Sequence, residues 1–220
     1  LNPNDGFAHY QMGRANRFFG RPELALQNLK KSIDINPRLW EAFDQAGQIY
    51  AELGQNKLAI MHLQRAVEAN PRFADSHFQL GQIYEAENMM APAVKSLERA
   101  LELEPANPRF LFTLGRFLMK AGRFKQAMQQ FQKSLDVVPD NPEVHFYLAR
   151  CCKEIYRPDL ALQCYEKAVE LNPRYADALA ELGQIAVQLG ELPKAAEALQ
   201  KALDLNPGDP YAYYNLAQAH

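Results

Sequence analysis

The stretch from Leu171 to Pro207 reads LNPRYADALAELGQIAVQLGELPKAAEALQKALDLNP, and it ends on the same Leu-Asn-Pro with which it begins. Its two prolines, Pro173 and Pro207, lie 34 residues apart. Five more prolines keep this interval toward the N-terminus: Pro3, Pro37, Pro71, Pro105 and Pro139. A fixed period of this size, without insertions, predicts a stack of similar supersecondary units along the whole chain.

Glycines and the remaining prolines divide each period into two helices, A and B. Gly20, Gly54, Gly122 and Gly190 occupy one place in the period, as Asn88 does, and indicate the left-handed residue that closes helix A. Pro22, Pro92, Pro158 and Pro193 fall where helix B begins, a place that tolerates proline. Helix A begins at Pro108, Pro142 and Pro210 after the predicted N-caps Asn107, Asn141 and Asp209.

The recurring proline also fixes the boundaries of the repeats, since each period can be numbered so that this proline is position 32. The complete repeats are then 6–39, 40–73, 74–107, 108–141, 142–175 and 176–209. Residues 1–5 are the tail of a preceding repeat, and 210–220 are the start of a seventh. We expect one solenoid over 1–220, cut from a longer protein, because the chain begins at Leu1 without a methionine.

The residues at fixed places in the period resemble the tetratricopeptide repeat family. Its Leu-Gly pair is present as Leu80-Gly81, Leu114-Gly115 and Leu182-Gly183, and the alanine of helix B recurs in all six repeats: Ala25, Ala59, Ala93, Ala127, Ala161 and Ala195. The resemblance implies an all-α fold, an α-solenoid of antiparallel helix-turn-helix repeats wound into a right-handed superhelix. In repeat five, Tyr156 replaces the turn glycine, which predicts a locally altered turn.

The resemblance also implies that one face of helix A lines a concave groove in which peptides bind. On that face, position 5 carries aromatic rings in five of the repeats, and position 9 carries only Arg or Gln. Such side chains are favoured at binding hot spots. The alternative is that the rings and long stems pack against the neighbouring helix. The predicted partner-binding residues are Tyr10, Arg14, Arg17, Gln45, Gln48, Phe78, Gln82, Phe112, Arg116, Phe146, Arg150 and Lys153.

Charge on this face is segregated along the chain. Repeats two and three contribute acidic residues, whereas repeats four and five contribute mainly basic ones: Arg109, Arg116, Lys120, Arg150 and Lys153. This pattern favours a partner segment with apolar anchors that carries acidic residues where it crosses repeats four and five. The alternative is a mixed, solvated surface with no partner preference.

Several classes of function lack support in the sequence. A net charge of -2 gives no basic field for nucleic acid, and no apolar run is long enough for membrane insertion. The glycines form no phosphate loop, and no catalytic constellation stands out. We therefore expect no enzyme activity and no cofactor.

Cysteines and histidines are the residues of this chain that are typical of zinc sites. Three cysteines, two of them adjacent, form no disulfide framework and weakly favour a reducing, cytoplasmic compartment. His145, Cys152 and Cys164 could approach one another but lack zinc-site spacing, so no metal is predicted. His145 shares its place in the repeat with His9 and His77, which favours a packing role.

The sequence thus predicts a non-catalytic scaffold that binds an extended or helical segment of another protein. Two alternatives remain open. The chain could be the regulatory or substrate-presenting arm of an enzyme whose catalytic domain lies elsewhere. It could also self-associate through its ends, because Tyr211, Tyr213, Tyr214 and Leu216 have no following helix B to cover them.

Overall fold

The computed structural model describes residues 5–219, and over that range the chain is helical, with short turns and no strands. This confirms the all-α prediction. The helices are α1 (Gly6–Phe18), α2 (Pro22–Ile35), α3 (Trp40–Glu52), α4 (Asn56–Ala69), α5 (Ala74–Ala86), α6 (Met90–Leu103), α7 (Pro108–Lys120), α8 (Phe124–Val137), α9 (Pro142–Glu154), α10 (Pro158–Leu171), α11 (Ala176–Leu189), α12 (Leu192–Leu205) and α13 (Pro210–Ala219).

The helices pair in sequence and form two compact units, Leu1–Pro105 and Ala106–His220. In the first unit, the hairpins α1–α2, α3–α4 and α5–α6 follow one another, and α2 packs on α3 as α4 packs on α5. In the second unit, α7–α8, α9–α10 and α11–α12 are arranged in the same way, and α13 packs on α11 and α12. Stacking of hairpins on their neighbours is the architecture of a helical-repeat protein.

Small residues allow the two helices of each hairpin to approach closely. The central alanine of every helix B is fully buried, as Ala127 and Ala161 illustrate. Across the seam, a β-carbon added to Gly183 would lie 2.3 Å from Cγ of Leu199, and one added to Gly115 would lie 2.5 Å from Cε1 of Phe131. These seams therefore leave no room for a side chain at either glycine.

The predicted N-caps are present. The side-chain oxygen of Asn107 accepts from the backbone N–H groups of Arg109 and Phe110, and that of Asn141 accepts in the same way at the start of α9. Asp209 caps α13 through the N–H groups of Tyr211 and Ala212, at 2.9 and 3.2 Å. Each cap satisfies backbone donors that have no partner within the helix.

The prediction of an altered turn in repeat five is wrong. Tyr156 adopts φ +57°, close to the φ +72° of Gly122 in the preceding repeat. The N–H of Tyr156 donates to the carbonyl of Lys153 at 3.0 Å, and Arg157 donates to Cys152 at 2.9 Å, as in the glycine turns. The Tyr156 side chain is 90% exposed, so its ring crowds nothing, and the packing of α9 on α10 imposes the left-handed conformation.

The Y156G variant is therefore expected to be more stable than the natural chain by about 1 kcal/mol, because a side chain in the left-handed region costs about 1–2 kcal/mol, part of which is offset by the unfolded-state freedom of glycine. Denaturation in urea, followed by circular dichroism, measures the difference. The matched control is G122Y, which should destabilise the chain by a similar amount. A loss of stability in Y156G would instead show that the exposed ring makes a stabilising contact.

Candidate functional site

The predicted column of aromatic rings lies largely inside the protein. Tyr10, Phe78 and Phe146 are 8%, 3% and 7% exposed, and Phe112 is half-buried. Tyr10 and Phe146 each belong to an apolar core cluster of their unit. These rings thus serve the core, which agrees with the packing alternative, and their role as partner anchors stays a prediction.

In the first unit, Arg17 connects α1 to α3 through a polar network. Its guanidinium donates to Oε1 of Gln45 at 2.8 Å and to Oε1 of Gln48 at 2.5 Å, and it pairs with Glu52 at 2.5 Å. Three of the predicted partner-binding residues are therefore joined to one another. Of the others in this unit, Arg14 lies over the Tyr10 ring at 5.7 Å, and Gln82 is exposed.

The network ends on a buried carboxylate, Asp44. Its Oδ2 accepts from Nε2 of Gln48 at 2.6 Å, and its Oδ1 accepts from Oγ of the fully buried Ser76 at 2.5 Å. Burial raises the pKa of Asp44 above its ordinary value, and the hydrogen bonds from Ser76 and Gln48 oppose this rise. Ionisation of Asp44 therefore lowers the stability of the folded state.

This raised pKa gives a pH-dependent contribution with a definite sign. The folded state holds the Asp44 proton more tightly than the unfolded state, so stability falls as pH rises from the unfolded pKa to the folded pKa. We expect the stability of D44N, relative to the natural chain, to increase with pH across that window and then to level off. Urea denaturation at pH values from about 4 to 7 measures this difference.

The S76A variant provides the matched control for Asp44. It removes a hydrogen bond that lowers the pKa of Asp44 and should widen the pH range over which stability declines. Stability curves of D44N and the natural chain that run parallel at all pH values would contradict the assignment.

In the second unit, α7 and α9 place two arginines over one tyrosine ring. Cζ of Arg116 lies 5.5 Å and Cζ of Arg150 lies 5.9 Å from the ring centroid of Tyr147. Each arginine also lies over the ring one helical turn before it, Arg116 over Phe112 at 5.8 Å and Arg150 over Phe146 at 5.9 Å. We call these five residues the arginine–tyrosine cluster.

Three phenylalanine rings contact Tyr147, the central ring of this cluster. The fully buried Phe131 of α8 stacks on Tyr147 with centroids 6.0 Å apart, and Phe112 meets Tyr147 edge to face at 5.5 Å. Phe146 meets Tyr147 in the same manner at 5.5 Å. The surface on which both guanidinium groups rest is thus fixed by the core of the unit.

Within the part of the chain that the structure describes, the two arginines form no ion pair. Among residues 5–219, no carboxylate pairs with Arg116 or Arg150. Lys153, also predicted to contact a partner, differs: it pairs with Glu181 at 2.5 Å and donates to Gln184 at 2.8 Å. Arg116 of α7 and Arg150 of α9 therefore carry positive charge without a carboxylate partner among the described residues.

Beyond the cluster, the charge reverses in a concavity of about 390 Å³ between α9, α11 and α13. Arg150 borders it, and its other charged lining residues are the carboxylates Asp177, Glu181 and Asp209. Glu181 is the partner of Lys153, and Asp209 caps α13. The basic surface thus ends at Arg150.

The histidines and cysteines make packing contacts. Nε2 of His145 lies 3.0 Å from the carbonyl oxygen of Pro139, and Nε2 of His77 lies 3.2 Å from that of Pro71, which is the equivalent contact two repeats earlier. Within residues 5–219, no group of three or more potential ligands is arranged to hold a metal ion. No helix in the same range is both long and apolar enough to cross a bilayer.

Comparison with known proteins agrees with this architecture. Four family models, each described as a tetratricopeptide or TPR repeat, match 8–39, 47–87, 86–145, and 157–210 with 194–220. Helical hairpins of fixed period, stacked with Gly-Ala seams, define a helical-repeat protein. This chain is a tetratricopeptide repeat protein. No curated protein sequence matches it.

Solved structures show the same fold at low sequence identity. The C-terminal part of a TPR protein from Cytophaga hutchinsonii is 22% identical, with a TM-score of 0.82 over 97% of this chain and 88% of the other. PilF of Pseudomonas aeruginosa is 22% identical, with a TM-score of 0.75 over 97% of both chains. YrrB, described as a TPR protein with an unusual peptide-binding site, is 23% identical, with a TM-score of 0.75 over 84% of this chain and 96% of that one.

Proposed function

We propose that this chain is a protein–protein interaction scaffold and that its second unit binds an acidic segment of a partner on the arginine–tyrosine cluster. The observation that carries the proposal is the pair of guanidinium groups, Arg116 and Arg150, that share the Tyr147 ring. Membership of a repeat family built for interaction supports the general class, as does the peptide-binding site described for YrrB.

The chemistry of the cluster suits carboxylates. A guanidinium group donates two parallel hydrogen bonds to a carboxylate, and such charge-assisted bonds are stronger than neutral ones. Stacking on aromatic faces leaves the N–H edge of each guanidinium free to donate while restricting its motion. Phe131 and Phe112 already fix the Tyr147 ring. Ordering this surface on binding would therefore cost little conformational entropy.

The partner's contact with the cluster would be mainly polar. Phe146 is buried, and only Phe112 and Tyr147 of the three rings are partly exposed. A segment that places an aspartate or glutamate at the arginines and a small apolar side chain beside Phe112 fits this surface. The segment could be extended or helical, since peptides of both forms dock into grooves through a few anchoring side chains.

The proposal is tested with a library of immobilised peptides of differing net charge and with the double variant R116E/R150E. The natural chain should select acidic peptides, and the double variant should lose at least about 30-fold in affinity, equivalent to about 2 kcal/mol for a hot spot. Binding by the natural chain should also weaken as salt is added.

The matched control is R123E/R174E, which makes the same change of charge at two exposed arginines in inter-helix turns of the same unit. This control should keep the affinity of the natural chain. Equal losses in both double variants, or selection of peptides without regard to charge, would contradict the proposed surface.

Self-association is a second candidate that an observation favours. On α13, the side chains of Tyr211, Tyr213 and Tyr214 are exposed. Of the helices that the structure describes, α13 packs on α11 and α12. A second copy of the chain could cover these rings. The role as an arm of an enzyme stays a prediction without a supporting observation.

A further inference from the structure

We propose that Cys152 and Cys164 are a reversible dithiol–disulfide pair, a modification site that reacts with hydroperoxides. The two residues belong to the two helices of one hairpin, Cys152 to α9 and Cys164 to α10. The proposal does not depend on the peptide-binding function.

The repeat itself shows that these two places face each other. Cys152 and Cys164 occupy positions 11 and 23 of repeat five. In repeat two the same positions hold Tyr50 and His62, whose rings stack with centroids 5.1 Å apart. The hairpins share one geometry, so the much shorter cysteine side chains lie across the same seam. Cys164 packs against the apolar cluster to which Cys152 belongs.

The two free thiols also interact with each other. A hydrogen bond from the thiol of Cys164 to the sulfur of Cys152 lowers the pKa of Cys152 and raises that of Cys164, while burial opposes the first shift and adds to the second. Cys152 is thus the better nucleophile, with a proton donor beside it. The adjacent Cys151 differs, because burial raises its pKa to about 12 and keeps it a thiol.

Small molecules can reach the pair through an open, mostly apolar pocket of about 520 Å³. Cys152 and Cys164 both line it, with Met128, Leu148, Ile155 and Leu160 among the apolar neighbours. Of these two lining residues, Cys152 is buried and Cys164 is half-buried. A hydroperoxide is small and uncharged, so it enters such a pocket more readily than a bulky, charged disulfide does.

The reaction balances without any group other than the hydroperoxide. The Cys152 sulfur attacks one peroxide oxygen, the O–O bond breaks, and the departing oxygen takes the proton that the Cys152 thiol gives up, leaving as water or an alcohol. Cys152 is then a sulfenic acid. The Cys164 sulfur attacks the Cys152 sulfur, the S–O bond breaks, and water leaves with the Cys164 proton. Two thiols are oxidised to one disulfide, and one peroxide is reduced.

The test uses hydrogen peroxide on the intact chain, followed by denaturation, alkylation with iodoacetamide and mass spectrometry. We expect the oxidised chain to be lighter by two hydrogen atoms and to take up one alkyl group, on Cys151. After reduction with dithiothreitol, all three cysteines should be alkylated. The C151S variant should form the same bridge and then take up none. Since Cys151 and Cys152 are neighbours, C151S also assigns the bridge without ambiguity.

The C164S variant separates the pair from a lone reactive cysteine. It should form no bridge and should instead give a sulfenic acid at Cys152 that dimedone traps. Circular dichroism confirms that each variant is folded. Three alkylated cysteines after peroxide in the natural chain, a bridge that persists in C164S, or linkage only between chains would each overturn the proposal.

Discussion

Replacing Phe131 with alanine is expected to lower the free energy of unfolding by about 3–5 kcal/mol, the usual cost of removing a buried phenylalanine side chain. Phe131 is fully buried in α8 and fills the seam opposite Gly115. Its ring also supports Tyr147 at 6.0 Å and Phe112 at 6.0 Å. The F131A variant therefore leaves a cavity that the rigid surrounding rings cannot close.

The matched control is F18A, because Phe18 is 86% exposed and its loss should change stability by less than about 0.5 kcal/mol. Guanidinium denaturation followed by circular dichroism measures both variants, and whole transitions should be compared because repeat arrays can unfold in more than one step. If F131A retains nearly full stability, the packing described for repeat four is wrong. A folded F131A chain should also bind acidic peptides less tightly, since Tyr147 loses its support.

The second large effect is expected at Gly183, where valine should cost about 3 kcal/mol through overpacking. The first side-chain atom added there would lie 2.3 Å from Cγ of Leu199 and 2.8 Å from its Cδ2. Leu199 is fully buried, so it has no free volume into which to move. The two helices would have to separate, which disrupts the α11–α12 hairpin.

A double-mutant cycle with L199A identifies the clash as the cause. In the L199A background, the space vacated by leucine should accept the valine, so G183V should cost much less there than in the natural chain. Urea denaturation of the four proteins gives the coupling energy. An equal cost of G183V in both backgrounds would point to backbone conformation, and not contact with Leu199, as the origin.

Much of the fold could be predicted because the repeat encodes it locally. Proline and the N-caps mark where helices begin, and glycine at a left-handed turn marks where helix A ends. Tyr156 shows the limit of that logic. A tyrosine at the turn position argues against a left-handed residue, yet the packed helices on either side impose it and the exposed ring removes any crowding.

The site was less predictable, because periodicity identifies the face of a helix but not the depth at which a side chain lies. Phe146 lies on the predicted face of helix A and is nevertheless buried in the core of the second unit. Lys153 is paired with Glu181, which lies 28 residues further along the chain. Tyr147, the centre of the arginine–tyrosine cluster, was missed because it lies one place after the aromatic column. The available signal was the aromatic dipeptide Phe146-Tyr147 with Arg150 one turn later, and with Arg116 at the same place as Arg150 in the preceding repeat.

The packing of each hairpin on its immediate neighbours also bears on how the protein is made. In both units, most helix–helix contacts join elements that are adjacent in sequence. Little chain entropy is lost in closing such short loops, so folding should be fast for a protein of this length. During synthesis, the first hairpin can form before the later ones have left the ribosome, and each new hairpin can add to the one before it.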